Sequence, residues 1–200
     1  MRKVLQYGGI AAGVVLIAFG IGALVLSVQG KNLVTDSLEA EQIVGSPDMT
    51  PQAIEQEASA AGLKDVNIPD CSVAGEAVDT GSEARCFAQY MYIHALEASG
   101  GQTYAQMPRY ATEDGQGTNN ADEAQKDAKG NPVSNPRREV WVTETALATA
   151  LNVSYMADQL GNFGLVVGIA LLLTGVGFIV IAASGALRGR EAVGAPVTQS

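Results

Sequence analysis

The sequence predicts an all-α protein: a transmembrane helical hairpin with a small extracytoplasmic helical domain, its second membrane helix extended outward as a stalk. Three observations lead there. Residues 4–30 and 159–187 are apolar runs without Asp, Glu, Lys, Arg or His, each longer than the roughly 20 residues a helix needs to cross a hydrocarbon core of about 30 Å. The segment between them is polar and acidic, and it is punctuated by helix start and stop signals rather than by strand alternation. Basic residues flank the outer ends of both runs.

The first run gives transmembrane helix 1, residues 8–28, behind a cytoplasmic N-terminus of residues 1–7. Arg2 and Lys3 followed by an apolar stretch also suit a secretory signal, but a signal core is about 7–15 residues, and this run is longer, which favours a retained helix. The second run gives transmembrane helix 2, residues 159–187, with a cytoplasmic tail at 188–200. Arg2 and Lys3 before the first helix, and Arg188 and Arg190 after the second, place both termini in the cytoplasm of a multi-pass cell-membrane protein. Residues 31–158 are then extracytoplasmic. That segment has 8 Lys and Arg against 20 Asp and Glu, a net charge of −12. Such a surface repels nucleic acid, which is excluded as a partner.

Cys71 and Cys86, the only cysteines, both lie in this outer segment. In an oxidising compartment an even count reads as one disulfide, and closing a ring of about 15 residues contributes roughly 3 kcal/mol in the chain-entropy model. A redox pair is the alternative, although C-x-x-C spacing is absent. A small outer domain, residues 29–158, benefits from such a staple.

Asp36 and Glu39 have the spacing of a cap that opens a short helix. Thr50-Pro51 starts a second helix, with Thr as N-cap and Pro at the first helical position, and Gly62 stops it. Thr80 and Glu83 form a capping box for a helix over 81–99, ended by Gly100-Gly101. Phe87, Tyr90, Met91 and His94 share one face of that helix. A further short helix is expected over 103–111, limited by Pro108. Residues 113–135 lack large apolar side chains and read as a mobile loop with one helical turn at 121–126. Asn135-Pro136 restarts a helix that continues without Pro or Gly to Gly161. Its expected apolar stripe is Val140, Leu147, Ala150, Leu151, Ser154 and Ala157, and an acidic loop residue is expected to offset Arg137 and Arg138 at its positive end.

Inside the apolar runs, Gly9-x-x-x-Gly13 and Gly164-x-x-x-Gly168 have the small-residue spacing that lets helix backbones approach closely. The two runs are expected to pair as a hairpin, with packing against another chain as the competitor. Two apolar helices without ionisable groups do not make an ion or proton pathway. His94 is the only histidine, so a 2-His-1-carboxylate iron site, a His-rich zinc site and an H-E-x-x-H protease are excluded within one chain. There is no G-x-x-x-x-G-K-S/T, G-x-S-x-G or calcium-loop motif. No catalytic, cofactor-binding or metal-ligating residue is expected. Asn152-Val153-Ser154 matches a glycosylation triplet, but it falls on the stalk helix.

The segments MRKVLQYGGIAAGVVLIAFGIGALVLSV, IVGSPDMTP, DCSVAGEAVDTGSEARCF, YMYIHALEASGGQTYAQMPRY and WVTETALATALNVSYMADQLGNFGLVVGIALLLTG together make the chain resemble a family of actinobacterial two-pass membrane proteins of unknown function. Some relatives bear an automatic label as aromatic ring-opening dioxygenases. That label implies a non-haem iron site with two histidines, which this sequence cannot supply. The expected function is therefore a non-enzymatic accessory or interaction module of the cell envelope, which meets membrane lipid and binds protein partners through its membrane helices or its outer domain. Two rivals stay open: the dioxygenase, and a small subunit of a multi-chain transport or respiratory complex.

Overall fold

A computed structural model describes residues 2–184. The expectations for the end of the second apolar run, for Arg188 and Arg190 and for the tail lie outside the described residues. Among the described residues the chain forms four helices and no strand: α1 (Arg2–Glu41), α2 (Pro51–Ala60), α3 (Gly81–Ala98) and α4 (Pro136–Ala183). They divide between two compact units. Among the described residues, one contains residues 2–30 and 160–184, and the other is Lys31–Gln159.

The first unit is built on close backbone approach. A side chain added at Gly13 would lie 2.6 Å from the Gly175 carbonyl oxygen, and one at Gly20 would lie 2.9 Å from the Gly168 carbonyl oxygen. Gly9 faces Ala182, and Gly164 faces Ser27. Contacts that climb α1 while descending α4 define an antiparallel pair of helical segments. The opposite faces carry exposed Phe19, Leu26, Phe163 and Leu173. In each long helix the most apolar window is barely covered, with 11 % of it buried in α1 and 17 % in α4.

The second unit has α3 as its central helix. Thr80 caps it through its side chain, which accepts from the Glu83 amide, while the Glu83 carboxylate accepts from the Thr80 amide. This reciprocal capping box satisfies two N–H groups that an open helix end would leave unpaired. Gly100 and Gly101, at φ +68° and +78°, end the helix in a conformation that disfavours other residues. Buried residues of α3 enter three clusters. Cys86, Tyr90 and Ile93 pack with Met49, Ile54, Ala58 and Val73. Ala84 and Ala88 pack with Val34, Leu38, Val78 and Leu151. Ala95 and Leu96 pack with Met107 and Trp141.

Four local expectations differ from the structure. Asp36 and Glu39 do not open a separate helix, because α1 continues unbroken to Glu41 and buries Val34 and Leu38. The segment 103–111 makes one turn only, in which Gln106 and Met107 donate to the Thr103 carbonyl before Pro108, which has no N–H, interrupts it. Of the stripe expected on α4, Leu151 is buried, Ala157 packs against the same cluster and Ser154 is half-buried, whereas Val140, Leu147 and Ala150 are exposed; towards the N-terminal end the buried face runs instead through Trp141 and Glu144. Arg138 is offset by an aromatic ring and a carbonyl: its guanidinium lies 3.9 Å from the Tyr104 ring centroid and donates to the Met107 carbonyl.

Residues 113–135 are organised by short backbone links rather than by apolar burial. Tyr110 pairs with Thr118 and Ser134, and Lys126 pairs with Pro132. Asp114 and Asp127 accept several amide and hydroxyl hydrogen bonds, which hold both carboxyls below their ordinary range. Polar turns of this type order a chain locally without a core.

Candidate functional site

Two constructions in the second unit place chemistry-bearing side chains together. The first is the disulfide. Cys71 and Cys86 are bonded, with their Cα atoms 6.1 Å apart and 15 residues between them in sequence. Cys86 sits in the second turn of α3, so the bond ties that helix to the preceding irregular segment. Tyr90, one turn further along, donates its hydroxyl to the Cys71 carbonyl at 2.6 Å. The Tyr90 ring is fully buried, and burial pushes its phenol above the ordinary value. The same segment is tied to the start of α2, because the Val73 amide and the Ser72 hydroxyl both donate to the Met49 carbonyl.

The second construction surrounds His94. Its Nε2 lies 2.9 Å from Asp48 Oδ2 and 3.8 Å from Glu57 Oε2. One donor atom from each of the three residues falls within 4.8 Å of the other two. The ring nitrogen is sealed from solvent, yet no hydrogen bond of normal geometry reaches it. Hydrogen bonding from the Ser46 side chain, followed by its own backbone amide and the nearby imidazole, outweighs burial and holds the Asp48 carboxyl below its ordinary range.

Local structure explains why these three side chains are well positioned. Each adjoins a buried residue in sequence: Asp48 precedes Met49, Glu57 precedes Ala58, and His94 follows Ile93. Thr50 caps α2 by accepting from the Ala53 amide, which sets the direction of the helix that carries Glu57. The anchoring residues share one core cluster with Cys86 and Tyr90.

His94 also borders an open groove of about 590 Å³, which is lined by Met91, Ala98, Val140 and Glu144, among others. Glu144 is buried, and its only hydrogen bond described is from the adjacent Thr145 hydroxyl. Burial pushes its carboxyl above the ordinary range. Nearby, Trp141 donates its indole N–H to the Gln102 carbonyl and meets Tyr92 edge to face at 5.4 Å.

The residues singled out from sequence fall into two places. Cys71 and Cys86 are joined in the second unit, while Gly9, Gly13, Gly164 and Gly168 line the helix contact of the first. Gly20 and Gly175 share that contact, although neither completes a four-residue glycine pair facing it. Asp48 and Glu57 carried no signal in sequence, since they precede His94 by long and irregular intervals. No protein-family model, curated protein or solved structure matches the chain.

Proposed function

We propose that the protein is a two-pass membrane protein that presents a disulfide-stapled helical domain outside the cell and works there as a non-enzymatic interaction module of the cell envelope. The observation that carries this reading is the exposure of the apolar windows. A core helix of a soluble protein is mostly buried, whereas 11 % and 17 % burial leaves two long apolar surfaces that lipid would cover. The disulfide supports an oxidising compartment for residues 31–158. The unbroken hydrogen-bonding pattern of α4 from Pro136 to Ala183 supports an outer domain carried on a continuation of the second membrane helix. Protein partners would meet either the membrane helices or the outer domain.

Membrane fractionation combined with labelling tests this reading. A Gln116→Cys variant, at an exposed position in the second unit, should remain in membranes after an alkaline carbonate wash and should react with a membrane-impermeant maleimide on intact cells. Release by carbonate, or labelling only after lysis, would overturn the topology. Chemical crosslinking in intact cells followed by detergent extraction then tests the interaction role, which predicts fixed protein partners at native abundance.

A further inference from the structure

We propose that Asp48, Glu57 and His94 form a divalent-cation site, with zinc as the ion their donor set fits. The distances suit it. Zinc binds imidazole nitrogen and carboxylate oxygen at about 2.0–2.2 Å, so tetrahedral geometry sets neighbouring donors roughly 3.3 Å apart. The two separations from His94 Nε2, 2.9 Å and 3.8 Å, bracket that spacing. Small side-chain rotations would equalise them.

The ring nitrogen supplies a second observation. Nε2 is enclosed, faces two carboxylate oxygens and lacks an aligned hydrogen bond. A neutral imidazole can carry its proton on Nε2 and face the carboxylates as a donor, or carry it on Nδ1 and offer the Nε2 lone pair, and in the second tautomer a metal ion placed between the three donor atoms takes all of them as ligands. Two carboxylates and a neutral imidazole carry a charge of −2, which a divalent ion cancels.

Donor chemistry selects among metals. Calcium takes about 6–8 oxygen ligands and magnesium keeps an octahedral, water-rich shell, whereas one nitrogen and two carboxylates are a borderline set that suits zinc. Three protein ligands leave the fourth position to water. The carboxylate side chains of Asp48 and Glu57 are 31 % and 38 % exposed, so an ion reaches them from solvent and meets the enclosed His94 Nε2 between them. Met49, Ala58 and Ile93 lock the backbone beneath all three ligands, and such support is what distinguishes a preorganised site from a chance cluster. The bound ion would join the start of α2 to α3, beside the disulfide that joins the Cys71 segment to the same helix. The inference holds on either side of a membrane.

The sole histidine makes the test specific. Full-length protein without an added histidine tag, in detergent micelles near neutral pH, should bind one Zn2+ per chain in calorimetry. One equivalent of zinc chloride should shift the His94 Nε2 resonance in a long-range 1H–15N spectrum, and excess Mg2+ or Ca2+ should not reverse it. Loss of an outer-shell partner of a zinc ligand already costs about 10–100-fold in affinity, so Asp48→Asn, Glu57→Gln and His94→Ala should each cost at least about tenfold. An unshifted His94 resonance, or binding that survives in His94→Ala and Glu57→Gln, would overturn the site. Either result would leave a hydrogen-bonding contact between the imidazole and the carboxylates, with no metal. Because the resonance is read on the unsubstituted chain, a variant that misfolds does not blur the outcome.

Discussion

Individual side chains in the second unit are tuned by burial as much as by neighbours. The Tyr90 hydroxyl satisfies the Cys71 carbonyl at 2.6 Å inside a buried apolar cluster. Tyr90→Phe should therefore destabilise this unit by about 1 kcal/mol, the net worth of one hydrogen bond. The single tryptophan reports it: Trp141 is buried against Met107 and Leu96, so its fluorescence in urea follows the unfolding of this unit. Glu144 makes the opposite prediction. Burial raises its folded-state pKa above the unfolded value, so the unfolded chain gives up its proton at lower pH than the folded one. Stability contributed by this group falls as pH rises from the ordinary carboxylate range through the raised value. Glu144→Gln should thus be more stable than the unsubstituted protein at neutral pH, with the difference shrinking as the solution is acidified. An advantage that does not shrink would show that ionisation of Glu144 is not the cause. Nothing in the spacing of residues indicated this carboxylate as buried, because burial of charge depends on which face of α4 the other elements cover.

Among the elements, α3 was the most legible. Its capping box and double-glycine stop are local signals, set by backbone N–H groups and by φ at a few adjacent residues. The segment 103–111 and the Asp36–Glu39 cap were misread for complementary reasons. Pro108 shortened one, and burial of Val34 and Leu38 on one face carried α1 through the other. The disulfide ties α3 to the segment before it, and replacing both cysteines by serine should cost roughly 3 kcal/mol on the chain-entropy account. Urea titration of Trp141 fluorescence checks this, and an unchanged midpoint would deny the staple its role. In the apolar unit, Gly13→Leu would force a side chain against the Gly175 carbonyl and Ile179, whereas Gly22 has no atom within 4 Å of the added Cβ. The first substitution should destabilise the helix pair by about 1–3 kcal/mol and Gly22→Leu should not. Thermal melts in detergent followed by circular dichroism compare them, and equal melts would mean the close approach contributes nothing.

At the scale of the whole molecule, the division into two units follows the change in composition along the chain. Residues 4–30 and 160–184 are predominantly apolar and tolerate exposure only where lipid replaces water, on the reading proposed above. Between them an acidic chain builds a small core from three clusters around one helix, aided by a covalent link. If zinc binds as inferred, the second unit should also melt at a higher temperature with zinc than with a chelator, because an ion held only by the folded state shifts the equilibrium by mass action. Calorimetric scans with and without EDTA measure this, and identical transitions would count against the site.

The all-helical class, the two long apolar helices and the ends of α2 and α3 follow from signals within a few residues of one another: hydropathy runs, caps, and glycine or proline stops. Even the cysteine pairing needed little more, since two cysteines allow one intrachain bond. The tertiary structure decided the rest. It selected the face of α4 that is buried, added Gly20 and Gly175 to the contact expected of Gly9, Gly13, Gly164 and Gly168, and brought Asp48 and Glu57 to His94. Those outcomes depend on how separate elements rotate and pack against one another. Distant side chains meet because Met49, Ala58 and Ile93 share a core, and no periodicity within one segment encodes that meeting.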